Sequence, residues 1–363
     1  MVGTRTACLL AVLVPTLVLA PGCTSDAVYD GTKAGSAPLG IVKRLAVPEA
    51  AGSPTGRLAK LIVEELDARN AAVTFEPAWD DRGPDPRREA DLAASVADGS
   101  FAFGLIAARA FDRWPEASLP ALSAPFQLHS MAQATAVATD PAVLDYLMRL
   151  EGLGLVGIAV IPEEIRHPAA LTPLLEPEQF QGLRIRTAQT DVTFEADVLA
   201  ALGATAVGDA PPGSVLLGVV DASETSFGWL PTLPGDLTIT GDLDLWVKFD
   251  VLVADHEAWD SLSETQRHAI QVAAARVAAA PIDPADAATR ACLLGYRLAV
   301  AGSATRHALE GKAEPLVRSL LADSAHAPVV QAMKEAVTEH PAPEYEPPAA
   351  CRPPTGDSAR PDD

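Results

Sequence analysis

Two arginines, Arg184 and Arg186 in the run Gly182-Leu183-Arg184-Ile185-Arg186-Thr187, are the side chains of this chain best suited to grip a small molecule. If the run is a strand, alternation turns both guanidiniums to one face and Ile185 to the core. One of the pair can then lie deep in a cleft and the other at its rim. A guanidinium offers parallel N–H donors that match the two oxygens of a carboxylate, so the chemistry on offer is recognition of an organic acid. Arg166 stands 20 residues upstream of Arg186. The competing reading is ordinary surface pairing of Arg166 and Arg186 with Glu163, Asp191 or Glu195.

Covalent chemistry finds no comparable foothold. Gly152-Leu153-Gly154-Leu155-Val156-Gly157 fits the glycine pattern of a dinucleotide loop, which must follow a strand and open a helix. Here a helical pattern precedes it and an apolar strand follows, so it reads as a glycine turn closing a helix. The sequence holds no G-x-S-x-G elbow, phosphate-binding P-loop, H-E-x-x-H or C-x-x-C. The seven histidines are scattered, and His256-Glu257 has no second histidine at ligand spacing. An enzyme is not expected, and neither a cofactor nor a metal.

The N-terminus reads as an export signal. Arg5 is followed by a largely apolar run from Ala7 to Ala20, which as a helix would span about 21 Å, short of the ~30 Å of a bilayer core. The run Leu19-Ala20-Pro21-Gly22-Cys23 resembles a bacterial lipobox, which predicts a lipid on Cys23 and a protein held at the outer face of the cell membrane or in the periplasm. Residues 1–22 are then a signal peptide, and the polar residues after Cys23 a flexible tether to about residue 39. Cys292 and Cys351 remain, and in an oxidising exterior the pair suggests one disulfide. The net charge of -21 argues against nucleic acid and against a polybasic membrane contact.

The rest of the chain alternates short β-rich runs with helical patterns, an α/β signature. Strands are expected at 42–47, 72–75, 101–106, 155–161, 182–187 and 246–254. Helices are expected after the first strand, at 92–96, across 131–150 with a break at Pro141, and at 192–202 closed by Gly203. Ser263 and Gln266 form a capping box for a long Ala-rich helix to Ala280. A second long helix containing Cys292 is expected after Pro284. The last 23 residues, 341–363, hold seven prolines and read as an unstructured tail.

The order of several motifs resembles one family, the solute receptors of TRAP-type (DctP-like) transporters. The Gly182–Thr187 strand is similar to the family's K-I-R-V strand, Leu202-Gly203-Ala204 to its helix end, and Gly218-Val219-Val220-Asp221-Ala222-Ser223-Glu224 to its G-V-V-D-G-x-E turn. Ala258-Trp259-Asp260-Ser261-Leu262-Ser263 is similar to the run leading into the family's long helix, and Asp98-Gly99-Ser100 with Trp114-Pro115-Glu116 to an upstream passage. The resemblance implies a two-lobe α/β fold of the periplasmic-binding-protein type II kind, with a hinge and long connecting helices. Its lobes would be 40–163 with 250–288 and 164–249 with 289–335, followed by a Pro-rich tail, 336–363. It implies that a small organic anion is bound between the lobes by Arg186, Arg166, Glu224 and Thr225, with Arg186 forking the carboxylate, and is delivered to membrane permease subunits. Departures are Thr225-Ser226 where the family has Asn-Pro, a shortened helix at Pro211-Pro212-Gly213, and Gly208-Asp209 where an aromatic or methionine is usual. Trp229 or Trp246 could supply the aromatic wall. A sensor or interaction lipoprotein on the same fold, without transport, is the alternative.

Overall fold

β1 (Ile41–Val47) carries the chain into α1 (Pro54–Ala68), whose first turn is capped by the Ser53 hydroxyl accepting from the Gly56 N–H, with Pro54 pre-set for the first helical position. β2 (Val73–Trp79), α2 (Arg88–Ala97) and β3 (Phe103–Ala107) complete two crossovers of parallel sheet. The computed structural model describes residues 40–352 except 80–84, 86, 189–192, 209, 212, 234–236 and 281–283. The signal peptide, Cys23, the tether, Asp191 and Asp209 lie outside the described residues. The described residues belong to one compact unit, Gly40–Asp363.

α3 (Met131–Ala138) and α4 (Pro141–Tyr146) are separate helices, as Pro141 requires. Gly154 then ends the next turn at φ 73°, a left-handed cap that favours glycine, and this is the use of the apparent dinucleotide motif. β4 (Leu155–Ala170) is far longer than the apolar run Leu155–Ile161 that announces it. It continues through Glu163, Glu164 and Arg166 because charged partners on neighbouring strands receive those side chains. β5 (Arg184–Arg186), α5 (Phe194–Leu202), β6 (Thr205–Val207), β7 (Ala222–Thr225) and β8 (Thr238–Thr240) follow. β9 (Trp246–Asp255) returns antiparallel to β4 over most of its length.

The sheet runs β2-β1-β3-β9-β4-β7-β5-β6, with β8 on the far end of β4. β4 therefore pairs with β9 along its first part and with β7 and β8 along its last residues, and register shifts at Gly157/Ala159 and Pro162/Glu164 bend it on the way. One core gathers around β1, β3, β9 and α1. A second gathers around Ile185, Leu199 and Trp246, and a third around Phe227, Leu230 and Ile239. These are the two lobes of the expected fold, the second lobe having two adjoining cores.

α6 (His256–Asp260) leads into α7 (Glu264–Ala278), which opens with the Ser263–Gln266 capping box. α8 (Pro284–Leu293) has only ten residues, because Gly295, at φ 95°, turns the chain into β10 (Arg297–Ala299). The expected long helix is instead α9 (Ser303–Ala322), and α10 (Ala327–Glu339) follows it. The buried side chains of α10, Val329, Val330 and Met333 among them, join the first core, whereas the family resemblance implied 289–335 in the second lobe.

The tail also differs from expectation. Residues 341–352 lie against the folded body, with Tyr345 packed on the third core, and Cys351 is bonded to Cys292 of α8. A proline-rich segment needs no core of its own when one aromatic ring and one covalent link fix it. With 58 residues between the two cysteines, breaking this link should cost on the order of 4 kcal/mol by chain entropy, less any native strain. The Cys351→Ser protein should melt well below the parent, and mild reduction of the parent should reproduce that loss. Equal melting curves would show that the link does not hold the strap.

Candidate functional site

Charged side chains gather where β4, β9, β7 and β5 meet. On β9, Lys248 and Asp250 share one face by alternation, inside a strand otherwise rich in apolar residues. Both are buried, so every charge there needs a partner. The Lys248 ammonium donates to Glu163 Oε1 at 2.7 Å, to the Thr55 hydroxyl at 2.8 Å and to Glu49 Oε1 at 3.1 Å. Asp250 Oδ1 lies 3.5 Å from it. The indole N–H of Trp229 donates to Glu163 at 3.3 Å. Burial pushes the Glu163 carboxyl up, but Lys248 and Arg166 outweigh that and hold it at about 2. Asp250 goes the other way, raised to about 7 by burial against the pull of Lys248, with Glu163 and Glu49 adding to the rise.

Arg166 is the next link. Its Nη2 is 3.4 Å from Glu163 Oε2 and its Nε is 3.5 Å from Glu224 Oε2. Burial works against its charge, and Glu224 and Glu163 more than restore it, so its pKa is raised. Beyond the cluster, Arg109 forks Glu89 through Nε at 3.0 Å and Nη2 at 2.9 Å, and reaches Glu195 of α5 through Nη1 at 3.3 Å. Burial raises Glu195 to about 7 despite Arg109, and Glu224 contributes. Arg109 follows β3 of the first core and Glu195 lies on α5 of the second; beside them the Phe194 N–H of α5 donates to the Asp112 carboxylate at 3.0 Å. Polar contacts thus join the two cores beside the site.

Arg184 and Arg186 flank the buried Ile185 on β5 and differ in depth. Arg184 is exposed and forks Asp221 at 3.1 and 3.0 Å. Arg186 is half-buried, and its Nε donates to the Ala210 carbonyl at 2.8 Å. Among the described residues no carboxylate lies within ion-pair distance of Arg186. Burial lowers its pKa, Glu224 opposes this from further off, and Arg166 and Arg109 add to it. Arg186 is the cation of the site most in need of an anion.

The structure therefore brings Arg166, Arg186 and Glu224 together. Thr225 does not join them: alternation turns it to the opposite face of β7, where its hydroxyl is 3.5 Å from the Ser226 carbonyl. Trp229, not Trp246, stands at the site, since Trp246 is buried in the second core. Lys248, Asp250, Glu49 and Arg109 escape a reading of motifs alone, whereas Glu163, named from the sequence as an ion-pair partner, does pair with Arg166, in the interior and not at the surface. Lysine and aspartate at alternate positions of an apolar strand were the available signal for the first two. Among the described residues no group of three or more His, Cys, Asp or Glu side chains is placed to hold a metal ion. A half-buried arginine beside a network in which Lys248, Arg166 and Arg109 already have their carboxylates can hold an oxyanion out of water.

Comparison with known proteins agrees with this architecture. Residues 86–232 match the family described as bacterial extracellular solute-binding protein, family 7 (DctP), the family that the motifs of the sequence resemble. Its fold is that of the TRAP periplasmic solute-binding proteins. A solved example from Shewanella oneidensis, with bound succinate, has a TM-score of 0.67 at 18% identity over 82% of this chain and 99% of its own. The sugar acid binding protein DctPAm of Advenella mimigardefordensis, in complex with galactonate, has a TM-score of 0.66 at 20% identity, with 82% and 99% covered. One from Xanthobacter autotrophicus Py2, with bound β-D-galacturonate, has 0.65 at 19%, with 81% and 99% covered. No curated protein matches the chain.

Proposed function

We propose that this chain is the solute receptor of a TRAP-type transporter, capturing a small organic acid between its lobes through Arg186 and passing it to membrane permease subunits. The observation that carries this is Arg186 itself, held half-buried on β5 at the lobe junction with no described carboxylate in ion-pair range. Glu224 favours the charge of Arg186 and Arg166 opposes it, both from beyond ion-pair distance, and the Ala210 carbonyl holds its Nε. The solved relatives carry succinate, galactonate and galacturonate, which makes dicarboxylates and sugar acids the first candidates. No covalent step is involved, and no cofactor is required. A lipid on Cys23 would hold the receptor beside its permease, and the mass of the mature N-terminal peptide tests that part alone.

Ligand that binds only the folded state stabilises it in proportion to the logarithm of its saturation, by about 2.7 kcal/mol at one hundred times the dissociation constant. A melting screen against short dicarboxylates, aldonates and uronates should therefore find at least one acid that raises the transition by several degrees, while the matching amides do nothing. A panel in which no acid shifts the transition would overturn the proposal.

A further inference from the structure

We infer that the protein has a second ligand site, behind the crossing strands, that takes a small organic cation with an apolar body. A cavity of about 780 Å³ lies between β4, α8, α9 and the strap of residues 341–348, with the start of α3 at one side. That volume is within the range of about 300–1,000 Å³ typical of small-molecule pockets. It is not the arginine site. Neither Arg166 nor Arg186 borders it, whereas Ile165 and His167, on either side of Arg166 along β4, do.

The lining defines the ligand's charge. Five acidic residues border the cavity against one guanidinium, Arg306. The best placed is Asp244, whose two oxygens lie 3.1 Å from His129 Nδ1 and 3.5 Å from His167 Nδ1. Two imidazoles thus fix the direction of the carboxylate, and its side chain is still 11% exposed. Burial lowers the pKa of His167, so it brings no charge at neutral pH. Glu310 projects from α9 on the facing wall. An anion entering here would meet net repulsion, and a protonated amine would be attracted.

The lining also defines the ligand's body. Phe227 and Tyr345 offer aromatic faces, to which a cation is drawn by the ring quadrupole. The Tyr345 hydroxyl is buried with no hydrogen-bond partner among the described residues, and it presses on Gly241, where a Cβ would leave no room for it. Prolines of the strap, Met131 and Val337 supply the apolar remainder, and the Cys292–Cys351 bond keeps that roof in place.

Two probes of equal shape and opposite charge, phenethylamine and 3-phenylpropanoate, test the site by calorimetric titration of the full mature protein. Phenethylamine should bind saturably at one site, about tenfold or more tighter than 3-phenylpropanoate, the difference expected when a charged hydrogen bond is gained rather than opposed. Asp244→Asn should weaken phenethylamine about tenfold, and Glu310→Gln, a change on a helix surface that endangers folding less, several-fold. Arg186→Lys should leave phenethylamine binding unchanged, which separates this site from the arginine cluster. Equal binding of the two probes, indifference to both acid variants, or loss of phenethylamine in Arg186→Lys would each overturn the inference.

Discussion

A Lys248→Met protein should unfold with about 3–5 kcal/mol less free energy than the parent, the usual cost of removing one partner from a buried ionic cluster. Among the described residues Lys248 is the one ammonium within ion-pair distance of Glu49, Glu163 and Asp250, and its side chain is 1% exposed. Methionine fills the space but removes that charge from all three, and of the three Glu163 keeps a partner in Arg166, at 3.4 Å. Asp250, already raised by burial, is then pushed up further above its value in the unfolded chain, and Glu163 loses the largest pull that holds it down. The folded variant then binds more protons than the unfolded one, and its stability falls as pH rises. The deficit should accordingly be larger at pH 8 than at pH 5. Adding Glu163→Gln should recover part of it by removing one of the stranded charges. Urea denaturation at the two pH values gives the answer, and a variant as stable as the parent at pH 8 would mean that the cluster is solvated rather than buried.

Arg186→Lys should keep the fold and lose most of the solute binding. A lysine ammonium has no parallel pair of donors to fork a carboxylate. If the ligand pair is enclosed when the lobes close, losing it costs about 3–5 kcal/mol, or roughly two to three and a half decades in affinity. Arg184→Lys should change little, because Arg184 is exposed and already forks Asp221, a contact worth about 1 kcal/mol or less at a surface. The contrast between two arginines two residues apart is the informative result. Similar losses in both would point to a general electrostatic effect of the strand, not to a forked ligand.

Strand alternation made it legible that Arg184 and Arg186 share a face while Ile185 turns to the core, because it depends only on the period of the backbone. The capping box at Ser263 and the glycine stop at Gly154 were legible for the same reason: each is settled within a few residues. The reach of β4 was not. Its apolar run ends at Ile161, and whether a strand can carry Glu163, Glu164 and Arg166 inward depends on cations and carboxylates that arrive from β9 and β7. The Arg109–Glu195 pair joins residues 86 apart and exists only because the sheet order sets the loop after β3 against α5. Thr225 was misplaced by following motif order one residue past Glu224, where alternation already turns the side chain away. The tail was misjudged from composition, which counts prolines but does not weigh a single tyrosine and cysteine.

The central claim is that Arg186 holds an organic acid between the lobes. Its most direct test is mass spectrometry of the small molecules released on denaturing the protein as purified from its native host, run in parallel on the parent and on Arg186→Lys. The account predicts one organic acid at close to equimolar amount from the parent, and little or none of it from the folded Arg186→Lys protein. The same acid at equal amount from both proteins, or no acid from a parent that also fails to bind any in titration, would contradict it.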